Sequence, residues 1–281
     1  MTQEVLKHVV VCADDYAVNA PTSQGIVALS VMGRLSATSV MSSSPRWVED
    51  ASALRDVRDR LDVGVHLDWT SRFAIDAGHG SGLGVVMARA LLRLYSQSQV
   101  EGEIERQLDA FEAHWHAAPD HIDGHQHIQQ FPVFRAALAD VLLRRYGTNA
   151  HRPWVRVSRV AQPGVKARVI SAMGADDLSA WATAHGWPQV GPLLGAYAFD
   201  GHLDDYARHM QAWLADLPVD ATVDTPALLM CHPAVSAQAD DAIGPARKRE
   251  FAYLSSDDYV QHLSDARTRL VRASGKPIAQ N

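Results

Sequence analysis

What most constrains this chain is a recurring pattern in which short apolar runs stop at a charged or imidazole side chain and are separated by stretches of helical spacing. His8-Val9-Val10-Val11-Cys12-Ala13 runs into Asp14-Asp15-Tyr16, Asp62-Val63-Gly64-Val65 into His66, and His121-Ile122 into Asp123-Gly124-His125. Trp154-Val155 likewise ends in Arg156, and Leu228-Leu229-Met230-Cys231 in His232-Pro233. Continuous apolar runs are the mark of strands buried on both faces, and helical crossovers between them call for a parallel α/β sheet. Parallel strands gather their C-terminal ends at one face, so Asp14-Asp15, His66, Asp123-His125, Arg156 and His232 are expected to converge.

The densest case is the segment 119–132, where His121, Asp123, His125 and His127 crowd together. His121 and Asp123 alternate as on one strand face, Gly124 lets the backbone turn, and His125 and His127 project from the strand end. Imidazoles and carboxylates are costly to bury unless paired or bound to a metal. Taken alone, the segment fits a histidine-rich loop without metal equally well. At the first strand tip, Asp14 and Asp15 point in different directions, so one carboxylate could hold a metal while the other faces substrate; capping of a turn is the plain alternative. Two imidazoles plus one carboxylate leave positions open for water and substrate, as metal-assisted hydrolysis needs. The remaining Asp and His fit as base and acid. Arg156 can orient a carboxylate through a forked hydrogen bond, or form a surface ion pair.

Helical periods are expected over 19–32, 45–58, 83–95, 100–116, 134–146, 177–185, 202–217 and 247–254, with a capped C-terminal helix over 256–270. Residues 71–84 read as a long Gly-rich loop over the strand-end face, 35–41 as a second strand and 154–159 as a strand with two arginines. No linker, repeat or low-complexity segment divides the 281 residues, so one domain over 1–281 is expected, a size routine for an α/β barrel. With 47% hydrophobic and 21% charged residues and a formal net charge of -6, the composition is that of a soluble globular protein. There is no basic run for nucleic acid and no apolar stretch of membrane-spanning length. The N-terminal apolar run is too short for a signal peptide, which makes a cytoplasmic address the default, and Cys12 and Cys231 read as small buried hydrophobes.

In order along the chain, Val10-Val11-Cys12-Ala13-Asp14-Asp15-Tyr16, Gly33-Arg34-Leu35-Ser36-Ala37-Thr38-Ser39, Val63-Gly64-Val65-His66-Leu67, His121-Ile122-Asp123-Gly124-His125-Gln126-His127 and Leu229-Met230-Cys231-His232-Pro233-Ala234 resemble the motifs of the YdjC-like carbohydrate deacetylases. That family includes chitooligosaccharide deacetylase and the hopanoid-associated deacetylase-like proteins. Arg247-Lys248-Arg249-Glu250-Phe251 is similar to the family's Arg-x-x-Glu-Leu, which carries the resemblance from about residue 8 to 254. The resemblance implies an irregular, TIM-barrel-like (β/α) barrel, a divalent metal, and removal of an acetyl group from an N-acetylated sugar. It also implies Asp15, His66 and His125 as metal ligands, Asp14 as general base and His232 as acid. Asp123, His127 and Arg156 are expected from their positions to support these groups or bind substrate, Arg156 by holding Asp14 ionised. Magnesium is the ion the family implies, whereas a His2Asp donor set suits zinc.

The chain departs from the family pattern at Tyr16, Gly124, Gln129 and Leu67-Asp68-Trp69-Thr70, and Asp68 is expected to add charge beside the ligand strand. These departures leave the sugar open. Another metal-dependent amidase or esterase, a sugar isomerase and a non-catalytic sugar-binding barrel are the competing readings. A homodimer is left open.

Overall fold

In this computed structural model, residues 6–161, 165–218, 221–222 and 225–279 are described. Going along the chain, β1 (Lys7–Tyr16), α1 (Ala20–Val31), β2 (Ala37–Val40), α2 (Trp47–Arg55) and β3 (Asp62–Leu67) lead to α3 (Arg72–Asp76), α4 (Leu83–Leu91) and α5 (Gln97–Trp115). After β4 (His121–Gly124) come a 3-10 turn (His125–Gln130), α6 (Phe134–Tyr146), β5 (Trp154–Arg156), α7 (Val165–Ala172) and α8 (Ala175–Ala184). The remainder comprises β6 (Gln189–Val190), β7 (Leu193–Leu194), α9 (Leu203–Ala215), β8 (Ala227–Cys231), α10 (Gly244–Leu254), α11 (Asp257–Asp265) and β9 (Thr268–Leu270).

Eight strands lie in the order β6-β5-β4-β3-β2-β1-β8-β7, all pairings parallel, curled into an irregular (β/α) barrel with helices outside. The seam runs beside β7, where the chain beyond β5 takes over: Val160 bridges to Leu193, and Leu193 N–H donates to the Arg159 carbonyl. Among the described residues no helix is long and apolar enough to cross a membrane.

Strand alternation divides the core into two layers. Val9, Val11, Ala13, Val63, Val65, Ile122, Val155 and Leu229 pack with the helices, while Val10, Cys12, Ala37, Trp154, Leu228 and Met230 fill the barrel interior. Residues two apart on a strand share a face, so Asp14, Ser39, His66, Asp123 and Arg156 belong to the inward set at its upper end. Lower down, Asp62 closes the barrel floor by accepting from Trp154 Nε1 at 3.1 Å, Arg272 Nε at 3.0 Å and Ser274 N at 2.9 Å.

Several expectations are corrected. The C-terminal helix expected over 256–270 ends at Asp265, and Thr268–Leu270 pairs with Lys7–Val9 as a ninth strand. Arg159 lies beyond β5. The expected loop 71–84 contains α3, capped by Ser71, whose Oγ accepts from Phe73 N. Gly124 does not make the turn: its φ of -156° is extended, and the left-handed residues are Gln126 and His127. Its role is room, since a Cβ there would stand 3.0 Å from the Gln129 backbone nitrogen.

Gly64 is a point of close packing inside the barrel, because a Cβ there would overlap the His121 ring. That ring cannot retreat: it stacks on Trp154 with centroids 4.1 Å apart and both residues are buried. Gly64→Ala is therefore expected to lower stability by about 1–3 kcal/mol through overpacking. Urea unfolding of the variant at wild-type stability would refute this account of the glycine.

Candidate active site

The floor of the barrel mouth is built around Arg156. Its guanidinium is wholly buried and forks onto Asp14, with Nη1 to Oδ2 at 2.7 Å and Nη2 to Oδ1 at 2.6 Å. The same Nη2 stands 2.6 Å from Asp123 Oδ2. Burial favours the neutral form of both carboxyls, but the guanidinium outweighs it and holds each below the ordinary aspartate range.

Asp123 in turn orients His66, its register partner across the β3–β4 pair. His66 Nδ1 and Asp123 Oδ1 are 2.6 Å apart, and Ser39 Oγ donates to the other oxygen at 2.6 Å. A ring nitrogen committed to a carboxylate leaves the opposite nitrogen free, the arrangement that orients metal-binding histidines. His66 Nε2 faces Asp15 Oδ1 at 3.5 Å, and His125 Nδ1 approaches the same oxygen to 3.1 Å. Burial pushes the His66 imidazole down, but Asp123, with Asp14 and Asp15, overrides it and raises the value to about 9.

Asp15 reaches this position by breaking the strand's alternation. Its φ is 68°, and the β1–β2 register shifts between Ala13 and Tyr16, so a local bulge turns it inward beside Asp14. Arg247 Nη2 holds Asp15 Oδ2 at 2.6 Å, while Oδ1 is buried without a hydrogen bond. Burial raises the Asp15 carboxyl, but Arg247, followed by His125, holds it well below the usual range.

Asp15, His66 and His125 each offer a donor atom within 4.8 Å of the others. One carboxylate oxygen and two imidazole nitrogens, the oxygen otherwise unsatisfied, form a donor set that fits a divalent cation. Cys12–His121–Asp123 and Asp14–His66–Asp123 are also close enough in space. Each, however, includes an acid paired with Arg156, and the same guanidinium lies 3.1 Å from Cys12 Sγ, so a second cation would meet its charge. Cys12, read from sequence as a small hydrophobe, is thus also a polar contact of Arg156.

His232 follows β8, its backbone N–H donating to Glu250 Oε2 at 2.5 Å. Its Nε2 is 3.9 Å from Asp14 Oδ2 and its ring meets Phe199 edge-on. Burial pushes this imidazole below its ordinary value, with Glu250 opposing, which favours the neutral form at rest over the protonated form expected from sequence. His127 sits on the left-handed turn with Nδ1 3.0 Å from Ser158 Oγ, at the wall of the cavity above the floor. Asp68, directly after β3, accepts from Thr70 N and Ser71 N.

Sequence reasoning assigned no role to Arg247 or Glu250. They lie three apart on α10, both buried, and hold Asp15 and the His232 backbone respectively. The signal was that helical spacing, in two charged residues soon after His232-Pro233.

Removing Arg156 would leave two acids buried without their cation. Arg156→Met is expected to cost about 3–5 kcal/mol at neutral pH. Because the folded-state acid constants of Asp14 and Asp123 are depressed, their pairing stabilises the fold above the unfolded carboxyl value of about 3.9 and fades as pH falls through the folded values. The penalty in Arg156→Met should therefore shrink on acidification. Denaturant titrations showing equal penalties at pH 7 and about pH 2, inside that window, would remove the electrostatic explanation.

No curated protein matches the chain in sequence. Among solved structures, it is similar to a protein from Enterococcus faecalis V583 provisionally named a cellobiose-phosphate cleavage protein, with TM-score 0.69 and 18% identity over 95% of this chain and 98% of that one. It is also similar to a peptidoglycan N-acetylglucosamine deacetylase, with TM-score 0.52 and 9% identity over 96% of this chain and 87% of that one. At these identities the likeness speaks to the fold. The model of the family described as YdjC-like protein matches residues 8–265, nearly the whole length, and the chain belongs to that family.

Proposed function

We propose that this protein is a metal-dependent hydrolase that removes the acetyl group from an N-acetylated sugar or oligosaccharide. The observation that carries the proposal is the placement of Asp14, forked by Arg156, 3.9 Å from His232 and on the same floor as the Asp15–His66–His125 donor set. The peptidoglycan N-acetylglucosamine deacetylase of similar fold acts on the same kind of bond, which supports the reading.

Asp15, His66 and His125 would hold the ion; their donor types suit zinc, and the family resemblance implies magnesium. When bound, such an ion polarises an acyl oxygen and makes water more acidic. Asp14 is the base: Arg156 keeps its carboxyl ionised, and fork geometry fixes the direction in which it accepts a proton. Neutral His232, 3.9 Å from Asp14, takes up the proton that Asp14 gains from water and passes it to the departing amine, returning to its neutral form. Phe199, edge-on to His232, limits the imidazole's swing. Asp123 keeps His66 in one tautomer, and Arg247 keeps Asp15 from rotating.

His66→Ala is expected to lose bound metal together with activity, since one of three donors is gone. Asp14→Asn is expected to retain the metal and lose turnover by about 10²–10⁴, because an amide cannot take the proton. Elemental analysis beside acetate release from N-acetylglucosamine oligomers separates these roles. Full metal occupancy in His66→Ala would remove it as a ligand, and loss of metal in Asp14→Asn with retention in Asp15→Asn would reverse the two acids.

The same floor would serve an esterase, and His232 distinguishes the two. His232→Ala is expected to slow N-acetyl hydrolysis by about 10²–10⁴ yet cost far less on an aryl acetate, whose leaving group departs without a proton. Equal losses on both substrates would place His232 in oxyanion stabilisation instead.

A further inference from the structure

The floor opens into a cavity of about 790 Å³, a size that encloses ligands well beyond an acetyl group. One sector of its wall is largely apolar and the other is mixed. Segments that follow the neighbouring strands β3, β4 and β5 contribute Phe73, Leu83, Met87, Phe131, Ile170 and Met173. Those that follow the adjacent β8 and β1 contribute Gln238, Asp240, Asp241 and Asn19 beside Val18, Ala242 and Ile243, with Asp241 held by Arg247 Nε at 2.7 Å. Most polar groups in the first sector are already engaged: Ser71 Oγ donates to Asp68, His127 pairs with Ser158, and Arg72 crosses to Asp240 at 3.1 Å. Gln126 is the exception.

The proposed chemistry gives this asymmetry a direction. His232 follows β8 and serves the scissile nitrogen, so the sugar lies toward the mixed β8–β1 sector. The substituent on the other side of the carbonyl carbon then runs toward the loops after β3, β4 and β5. An acetyl methyl would leave most of that wall facing water. Met87 and Met173 offer the adaptable surface that suits a flexible chain.

We infer that the site also takes, and prefers over acetyl, an acyl chain several carbons long, bound by the sector of Phe73, Leu83, Met87, Phe131 and Met173. This rests on the hydrolase reading above and extends its substrate class from N-acetyl to longer N-acyl sugars. The reaction balances as amide hydrolysis: water adds its oxygen to the acyl carbon, the C–N bond breaks, and the amine keeps the electron pair and takes a proton.

Each buried methylene is worth about fourfold in affinity, so partial burial of an octanoyl chain should give at least about a 30-fold preference. The test compares N-octanoylglucosamine, N-acetylglucosamine and octyl N-acetyl-β-glucosaminide, by kcat/KM on the metal-loaded protein and by equilibrium binding to it. The expected result is an octanoyl preference in both measurements, reduced to within about threefold in Met87→Glu. Met87 is only partly buried, and a thermal melt checks the variant's fold; Leu83→Ser replaces it if that fold is lost. Equal values for octanoyl and acetyl, a gain confined to the octyl glycoside, or an undiminished preference in the folded variant would overturn the inference. Should no compound release acid, the hydrolase reading fails, and the binding ratio still decides the acyl sector: a preference keeps it and parity ends it.

Discussion

A single guanidinium, that of Arg156, makes the barrel mouth electrostatically tenable. Asp14, Asp15 and Asp123 are all buried, and ionised carboxylates without partners would be expensive in such a place. Arg156 serves Asp14 and Asp123 together, and Arg247 serves Asp15. Arg247 is shared with Asp241, so the guanidiniums do not balance the carboxylates, and His66 and His125 face the negative charge that remains. Asp123, Asp14 and Asp15 outweigh burial and raise the His66 value to about 9, which favours a proton on that ring to meet the charge. A divalent cation on the Asp15 oxygen would meet it in the loaded protein by displacing that proton, so metal binding and imidazole ionisation compete for the same field. Buried pairs of this kind contribute little net stability. Their effect is to fix which oxygen and which ring nitrogen remain available.

Much of this arrangement was legible because strands alternate. Asp62, Gly64 and His66 on β3, His121 and Asp123 on β4, and Trp154 and Arg156 on β5 share the inward face for the same period-two reason, and that reason can be read from spacing. What the spacing hid were the places where the rule is broken. By alternation Asp15 would face the helices, and only the left-handed residue at its own position brings it beside Asp14. Gly124 drew the eye as a turn residue, but the turn falls on Gln126 and His127, which pay a conformational penalty that glycine would not. The ninth strand was hidden because Thr268–Leu270 is short and follows a helix of similar polarity. Arg247 and Glu250 were seen as a motif without a task, since nothing in sequence says which helix will fold back over β1 and β8.

These exceptions concentrate at the mouth, and their distribution has a physical reading. Lower in the barrel, Gly64, His121 and Trp154 keep regular strand packing, and Asp62 has its hydrogen bonds supplied by Trp154, Arg272 and Ser274. Higher up, left-handed residues recur at Asp15, Ala17, Gln126 and His127. Local rules yield where side chains must converge on one small volume, and the lower barrel supplies the stability that lets them do so.

The same division separates chemistry from selectivity. Every group proposed to move or hold a proton lies on or just beyond a strand end, where the sheet fixes its position within the limits of backbone hydrogen bonding. The apolar residues of the wall come from α3, α4, Phe131 beyond the 3-10 turn and the α7–α8 region, which the sheet positions only indirectly. A change among them alters no charge at the floor and disturbs no strand pairing. The wall can therefore shift from polar to apolar, or lengthen, while Arg156, Asp123 and His66 keep their geometry. For a chain of this family the floor consequently informs about the bond that is broken, and the wall about what hangs from it. Here the wall is largely hydrocarbon on the β3–β5 side and mixed on the β8–β1 side, where Gln238, Asp240, Asp241 and Asn19 stand beside Val18, Ala242 and Ile243.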